Sequence, residues 1–421
     1  MSDDGEIVVV GAGMAGLVAA LRLAEAGRRA RILAKGFGAT HLSGATIDVL
    51  GYTPAPVMSP AGALPAFVAE HPDHPYARVG AGVVEEAVGW LKGHLTDPRY
   101  VGDLGRNFLL PTAAGVCKPA AVAPQTMAAG DLRGGGPYAI VGLPGLKDFY
   151  PSLVAGNLAL ATTPAGTAVG ARAVEVDLSP GGRVDAGPLG YARRFEDPRF
   201  RADFAAALQG RLAADEVLGV PAVLGLAGAE QAWEELEARV ERPIFEIPTL
   251  PPSVPGLRMF TVLMAAARRA GARVVIGAEV VGVETDGYRV RGVWSGTANG
   301  RRFYPTAALV LATGGWAAGG LVMDSHRVVR EPVLGLPVTG ADDGAARFLP
   351  GYLDHHPLAT AGIAVDRWLR PVDARGAVLY DNVRVAGATL AGAEPWKEKS
   401  GDGISVATGY HAAMSVLTEE G

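Results

Sequence analysis

Residues 7–34 read IVVVGAGMAGLVAALRLAEAGRRARILA, and this stretch decides the fold of the N-terminal part of the chain. Four apolar residues predict a buried strand over Ile7–Val10, typical of a parallel sheet. The next six residues, GAGMAG, match G-x-G-x-x-G. Residues 17–26 carry apolar residues at helical spacing, and Ala30–Ala34 predicts a second strand. Strand, glycine turn, helix and strand within about 30 residues predict a dinucleotide-binding unit.

Each glycine of this motif has its own physical role. Gly11 permits the tight turn after the strand, and Gly13 lacks the Cβ that would keep a pyrophosphate from the backbone. Gly16 lets the helix lie close to the strand. The start of the helix offers unpaired N–H groups and a partial positive charge, so Met14 and Ala15 join the predicted cofactor-binding residues. The alternative is a glycine-rich turn without a ligand.

Lys35 stands where dinucleotide-binding proteins usually place Asp or Glu, 19 residues after Gly16. A lysine cannot accept hydrogen bonds from ribose hydroxyls, but its ammonium can contact a phosphate. Lys35 is therefore a candidate cofactor contact, and an exposed strand-end lysine without a ligand is the alternative. The reversed charge leaves the size of the bound nucleotide open.

The composition indicates a globular protein with room for more than one domain. Of 421 residues, 49% are hydrophobic and 19% are charged, which predicts a sizeable core. The net charge of −5 disfavours electrostatic binding of nucleic acid. The single cysteine, Cys117, excludes an internal disulfide and a cysteine-based zinc or iron–sulfur site, and no metal site is predicted. Redox chemistry would then need a bound organic cofactor, and the chain is expected to be cytoplasmic.

The predicted fold class is α/β, a Rossmann-like flavin-binding domain with an inserted second α+β domain. Breaks rich in proline and glycine mark residues 51–255 as the insertion, which would bind substrate as a cap or bind a partner. Residues 1–50 and 256–421 form the discontinuous flavin-binding domain. Further predicted helices span 83–95, 229–240, 258–270 and 404–417, and further predicted strands span 273–276, 280–284, 307–312 and 382–386.

Small residues after the later strands are additional cofactor candidates. One strand runs into Thr313-Gly314-Gly315, and the last strand ends at Gly387. Small residues suit a backbone that passes close to a ligand. The helix after Gly401-Asp402-Gly403 is a further candidate anion or carbonyl site, with Gly403 as its predicted contact. No second G-x-G-x-x-G occurs, and a single N-terminal motif completed by the last third of the chain is typical of flavoproteins.

Five later segments are distinctive. They are HLSGATIDVLG (41–51), GLPGLKDFYPSLVAGN (142–157), REPVLGLP (330–337), AGIAVDRWLRPV (361–372) and DGISVATGYHAA (402–413). Together with the N-terminal stretch they resemble the B subunit of the anaerobic, respiratory glycerol-3-phosphate dehydrogenase over nearly the whole length. The glycine motif is shared by many flavoproteins, whereas KDFYP and REPxLGL are much more specific.

This resemblance implies a flavin-dependent oxidoreductase that works in a complex. In the family, a larger FAD-bearing dehydrogenase subunit pairs with the B subunit, and an iron–sulfur subunit that anchors the complex to the membrane carries electrons to quinone. The reaction oxidises sn-glycerol 3-phosphate to dihydroxyacetone phosphate. The chain would then lie at the inner face of the cell membrane through a partner. The B subunit is usually described as binding FMN, whereas the glycine turn favours the pyrophosphate of FAD. We predict FMN, with FAD as the close alternative.

The catalytic candidates rest on the chemistry of alcohol oxidation. A base must take the hydroxyl proton, and Arg or Lys must bind the substrate phosphate. The candidates are His355, His356 and Arg330, followed by His41, Arg367 and Arg370. Each is equally compatible with a surface or structural role. Ser43 and Gly44, just past the second strand, are predicted to contact the flavin.

Two other functions stay open at this point. One is a different flavoenzyme, either fumarate-reductase-like or amino-acid-oxidising. The other is a non-catalytic structural partner subunit that retains the fold, because a fold alone does not establish a function.

Overall fold

A computed structural model describes residues 5–178, 186–297, 300–341 and 347–419 of the chain. The strands are β1 (Ile7–Val10), β2 (Ala30–Ala34), β3 (Tyr100–Gly102), β4 (Phe108–Pro111), β5 (Cys117–Ala120), β6 (Val122–Pro124), β7 (Tyr138–Gly142), β8 (Ala171–Glu175), β9 (Val217–Pro221), β10 (Ile244–Ile247), β11 (Arg273–Ile276), β12 (Glu279–Asp286), β13 (Arg289–Thr297), β14 (Gly300–Pro305), β15 (Ala308–Leu311), β16 (Val322–Met323), β17 (Val329–Arg330) and β18 (Val383–Val385). The helices are α1 (Met14–Glu25), α2 (Pro60–Glu70), α3 (Pro75–Val79), α4 (Ala81–His94), α5 (Gln125–Ala128), α6 (Pro151–Leu158), α7 (Pro188–Phe195), α8 (Pro198–Leu208), α9 (Ala229–Val240), α10 (Val254–Arg269), α11 (Pro395–Glu398) and α12 (Gly401–Glu419).

A parallel five-stranded sheet in the order β11–β2–β1–β15–β18 carries the N-terminal motif. Ile7 at the start of β1 lies opposite Ala30 of β2 on one side and Ala308 of β15 on the other. All four residues of β1 and of β15 are buried, which is why both strands are continuous apolar runs. The α/β fold class is confirmed.

The first and last long helices pack against each other through small residues. A Cβ on Gly409 of α12 would lie 2.5 Å from the carbonyl oxygen of Ala15 in α1, so only glycine permits this approach. Gly16 plays the same part within the motif, because its Cβ would overlap the carbonyl oxygen of Gly11. Gly11 itself has a φ of +114°, which favours glycine.

The middle of the chain builds a second parallel sheet, in the order β10–β9–β7–β8. Buried hydrophobic residues from Leu132 to Ile247, within the described parts of the chain, form a cluster of their own around this sheet. The insertion was predicted to be α+β. The sequence did not predict that the strands of its main sheet are parallel. Strand β8, ARAVE, alternates in exposure like an edge strand, so its sequence does not indicate a buried parallel strand.

The two larger hydrophobic clusters divide the chain differently from the predicted domain boundary at residue 50. Leu64, Val84 and Leu91 of helices α2 and α4 belong to the cluster around the N-terminal sheet. The second cluster begins only at Leu132. The segment around α2, α3 and α4 therefore packs with the N-terminal sheet, and the boundaries 1–50 plus 256–421 and 51–255 stay a prediction.

A buried ion pair joins the second sheet to α10. The two Arg258 guanidinium nitrogens lie 2.7 and 3.0 Å from the two Glu246 carboxylate oxygens, and both side chains are fully buried. Arg258 also donates to the Gly225 carbonyl at 2.7 Å, and the Thr126 hydroxyl donates to Glu246 at 2.8 Å. Each buried charge therefore has several partners, as a buried ion pair needs.

Among the described residues, no helix has both the length and the apolar character needed to cross a membrane.

Candidate functional site

A cleft with a volume of about 620 Å³ opens at the carboxyl ends of the parallel strands of the N-terminal sheet. Val10, Ala34, Ala312 and Ala386 line it from the ends of four neighbouring strands. Open parallel sheets bind their ligands at this edge. The position and the size fit a nucleotide cofactor.

The glycine turn forms one wall of this cleft. A Cβ on Gly13 would meet no atom of the described residues within 4 Å, so it would project into the open cleft. Helix α1 begins directly afterwards at Met14, and no side chain of the described residues caps its N-terminus. The free N–H groups there are available to an anion. The turn thus has the shape and the donors that a pyrophosphate requires.

Most of the predicted cofactor residues lie together on the cleft wall. They are Gly11, Gly13, Met14, Ala15, Lys35, Ser43, Thr313, Gly314, Gly315 and Gly387. Gly16, Gly44 and Gly403 do not line the cleft. Gly44 packs on Pro248, and a Cβ on Gly403 would overlap the Tyr76 hydroxyl, so both fit close packing of the chain. The binding roles of all thirteen residues stay predictions.

The segment after β15 turns sharply at the cleft. Gly314 has a φ of +79°, and a Cβ on Gly320 would overlap its carbonyl oxygen. The Thr389 hydroxyl donates to that same carbonyl at 3.0 Å. This packing holds the segment Thr313-Gly314-Gly315 in place at the cleft.

Lys35 lies one residue past the end of β2, and its ammonium is 3.0 Å from Glu279 Oε1. Both residues line the cleft, and both side chains are largely exposed. The last residue of the strand is Ala34, which offers no hydrogen-bonding side chain. Sequence reasoning did not single out Glu279.

Asp402, in the first turn of α12, is a titratable cleft residue. Burial and then the nearby Asp48 carboxylate raise the pKa of Asp402 from 3.8 to about 7, although Lys118 opposes this shift. A carboxyl with this pKa exchanges its proton near neutral pH. The predicted anion or carbonyl site at this helix start therefore carries a carboxyl group of its own.

A polar cluster stands next to Asp402. Lys118 Nζ lies 2.5 Å from Asp48 Oδ2 and donates to the Thr46 hydroxyl at 2.9 Å. The Thr46 hydroxyl in turn donates to Asp48 Oδ1 at 2.8 Å. The Asp48 carbonyl accepts the Gly403 N–H at 2.9 Å, which ties the cluster to the start of α12. Sequence reasoning missed the cluster, because its members come from distant segments.

The three first-choice catalytic candidates lie outside the cleft lining within the described chain. The His355 ring contacts Glu394, and its side chain is 70% exposed. His356 accepts a backbone N–H bond at 3.1 Å, and Arg330 lies 2.9 Å from Asp324. Their catalytic roles stay predictions.

His355 is close to the rim of the cleft, because its partner Glu394 stands between the cleft-lining residues Ala393 and Pro395. The second-choice candidates have structural contacts. Arg367 lies over a tryptophan ring, and Arg370 pairs with a carboxylate. His41 packs edge-on against two phenylalanine rings, and its buried Nδ1 has no partner among the described residues.

Comparison with known families agrees with this site. A family model described as an FAD binding domain matches residues 6–404. A Halobacterium salinarum protein, named as the probable B subunit of an anaerobic glycerol-3-phosphate dehydrogenase, is 35% identical over 99% of this chain and 98% of its own length. The chain belongs to this B-subunit family, and it matches the FAD binding domain family over most of its length. The corresponding Yersinia enterocolitica protein is 30% identical over 98% of both chains. The predicted family resemblance is confirmed.

Two solved structures are similar over most of the chain. The 3-ketosteroid delta1-dehydrogenase of Sterolibacterium denitrificans has a TM-score of 0.46 and 12% identity, and the match covers 99% of both chains. A flavocytochrome c3 fumarate reductase has a TM-score of 0.44 and 11% identity, covering 98% of this chain and 78% of that one.

The family model and the names of the two relatives show a family of flavin-dependent oxidoreductases. The family model indicates FAD as the cofactor, so the predicted preference for FMN is not confirmed. Both relatives are named as one subunit of a larger enzyme, which implies partner subunits, as the resemblance did.

Proposed function

We propose that this chain binds FAD in the cleft and serves as a flavoprotein subunit of an anaerobic glycerol-3-phosphate dehydrogenase. The complex would oxidise sn-glycerol 3-phosphate to dihydroxyacetone phosphate and pass electrons toward quinone. The observation that carries this proposal is the similarity to proteins of that name over 98–99% of the chain. The geometry of the glycine turn supports it.

FAD is favoured over FMN by the form of the turn. FAD carries a pyrophosphate between its two nucleotide halves, whereas FMN carries one terminal phosphate. Gly13 leaves room for the pyrophosphate beside the backbone, and the start of α1 supplies donors to it. Gly11, Met14 and Ala15 are the further residues of this turn that would hold it.

The chain's own residues supply the acid–base chemistry. Bound flavin would accept the hydride that leaves the alcohol carbon. The Asp402 carboxylate is suited to take the hydroxyl proton, because its raised pKa lies near neutral pH and it lines the cleft. Lys118, which pairs with Asp48, supplies a positive charge near the Asp402 carboxyl group. We place Asp402 ahead of His355 and His356 for the proton, because neither histidine lines the cleft in the described chain.

Electron transfer beyond the flavin would need partner subunits. One cysteine cannot hold a cysteine-ligated iron–sulfur cluster in this chain. We propose an FAD-bearing larger subunit and an iron–sulfur subunit as partners, the latter holding the complex at the inner face of the cell membrane. The isolated chain should therefore reduce a quinone analogue far more slowly than the complex does.

The function can be tested by anaerobic reduction of the flavin-loaded chain. Addition of sn-glycerol 3-phosphate should bleach the flavin absorbance, whereas succinate and amino acids should not. Bleaching by succinate or an amino acid alone would favour the other flavoenzymes. A chain that stays colourless after FAD is added would favour a non-catalytic partner. A flavin that stays oxidised with every substrate would contradict oxidation on this chain.

A further inference from the structure

The strand that normally supplies an acid to the ribose ends here without one. In dinucleotide-binding proteins, an Asp or Glu at the end of the second strand accepts hydrogen bonds from the adenosine ribose. In this chain β2 ends at Ala34, and the next residue is Lys35. Neither side chain can accept a hydrogen bond from a hydroxyl.

The segment that follows the neighbouring strand brings a carboxylate to the same place. Strand β11 lies parallel to β2 with Ile276 opposite Ala34, and the chain then turns at Gly277. The Ala278 N–H donates to the Ala34 carbonyl at 3.0 Å. Glu279 follows directly, so its carboxylate lies beside the end of β2, on the cleft wall.

Lys35 holds this carboxylate by one oxygen and leaves the other free. The ammonium contacts Glu279 Oε1 at 3.0 Å. Within the part of the chain that the structure describes, Glu279 Oε2 has no hydrogen-bond partner. A carboxylate has about four lone-pair sites, so it can stay paired with the lysine and still accept hydrogen bonds from two hydroxyl groups. The lysine charge would also offset the repulsion between Glu279 and the phosphates of a bound cofactor.

We infer that Glu279 replaces the missing acid of β2 and accepts hydrogen bonds from the adenosine ribose hydroxyls, with Lys35 as its positioning residue. This inference rests on FAD as the proposed cofactor, because FMN has no adenosine. The reversed charge at residue 35 is then compatible with a complete dinucleotide site. The acid is supplied by β12 in place of β2.

The test is equilibrium binding of FAD and of FMN to the flavin-free full chain, followed by flavin fluorescence. Glu279→Gln should raise the Kd for FAD about 10- to 100-fold, as expected for the loss of charge-assisted hydrogen bonds. The Kd of this variant for FMN should stay within about twofold of wild type, because FMN has no adenosine ribose for Glu279 to contact. Lys35→Gln should weaken FAD binding less than Glu279→Gln does.

Glu284→Gln is the matched control. Glu284 lies on the same strand, β12, accepts a hydrogen bond from the Trp294 indole at 2.9 Å and does not line the cleft. Its loss should leave FAD binding unchanged. Circular dichroism should show that all three variants fold, because the substituted side chains are exposed or partly exposed.

Three results would overturn the inference while the proposed cofactor stands. An unchanged FAD affinity in Glu279→Gln would show that the carboxylate does not contact the cofactor. Tighter FAD binding by that variant would mean that Lys35, once released, binds a phosphate itself. Equal weakening of FAD and FMN would place the effect outside the adenosine. A wild-type chain that binds no FAD would instead overturn the proposed cofactor, and this inference with it.

Discussion

Gly38 packs so closely on Gly13 that a Cβ on Gly38 would lie 2.8 Å from the Gly13 Cα. The loop after β2 is thereby laid against the glycine turn, and both segments line the cleft. Gly38 also has a φ of +71°, a backbone conformation that residues other than glycine rarely adopt. The cleft wall therefore depends on two glycines for different reasons. Gly13 leaves space for a ligand, and Gly38 leaves space for Gly13.

We expect Gly13→Val to abolish flavin binding while the fold survives. The new side chain would project into the cleft and meet no protein atom within 4 Å of its Cβ. The measurement is flavin content per chain after purification, together with the thermal unfolding midpoint. Gly282→Val is the matched control, since Gly282 is open in the same way and does not line the cleft. Full flavin content in Gly13→Val would place the phosphate elsewhere.

Gly38→Ala should reduce both stability and flavin affinity. The substitution adds the strain of a positive φ, about 1 kcal/mol, and forces the loop away from Gly13. Gly27→Ala is the control, because Gly27 has a similar φ of +76° with no atom near its Cβ. Urea unfolding of the two variants separates strain from steric clash. Equal losses of stability, with flavin retained in both, would mean that the contact with Gly13 is unimportant.

The buried pair of Arg258 and Glu246 should be essential for stability. Glu246→Gln would leave the Arg258 charge buried without its counter-ion, which costs about 3–5 kcal/mol. Denaturant unfolding measures this loss. The exposed pair of Arg291 and Asp286 is the comparison, and Arg291→Gln should change stability by less than about 1 kcal/mol. A loss that small in Glu246→Gln would show that the buried pair is dispensable.

Asp402 should make stability fall as the pH rises. Its folded-state pKa, about 7, lies above the unfolded value of 3.8, so the unfolded chain loses this proton first. Protonated Asp402 contributes on the order of 4 kcal/mol in total to the free energy of unfolding. This contribution is fully present below about pH 4 and is lost as the pH rises toward 7. Asp402→Asn should therefore gain stability relative to wild type across this range. Chemical denaturation at several pH values measures it, and a pH-independent difference would refute the shifted pKa.

Regular elements were predictable from sequence wherever local pattern and burial agree. Strand β2, helix α9 and strand β11 have the predicted bounds, because each combines a clear period with flanking breaks. Helix α10 begins at Val254, four residues before its predicted start, since Ser253 caps it and Pro255 fits its first turn. A proline near a helix start is easily mistaken for part of a linker.

The candidate site was only partly predictable, because its polar groups meet across long sequence separations. The glycine turn is local in the sequence, and most of its residues line the cleft, although their binding roles stay predictions. Glu279 meets Lys35 across 244 residues, and Lys118 meets Thr46 across 72. Nothing near Glu279 in the sequence indicates that β11 will lie next to β2. Histidines 355 and 356 were chosen for their residue type, whereas Asp402 at the start of α12 gains its suitable pKa only from the folded surroundings.

The most direct test of the proposed FAD site is the mass of the cofactor released when the purified chain is denatured. We expect FAD, at close to one per chain, and its loss in Gly13→Val. Release of FMN would contradict the fit of the glycine turn to a pyrophosphate. A wild-type chain that releases no flavin, even after incubation with FAD, would contradict the central claim altogether.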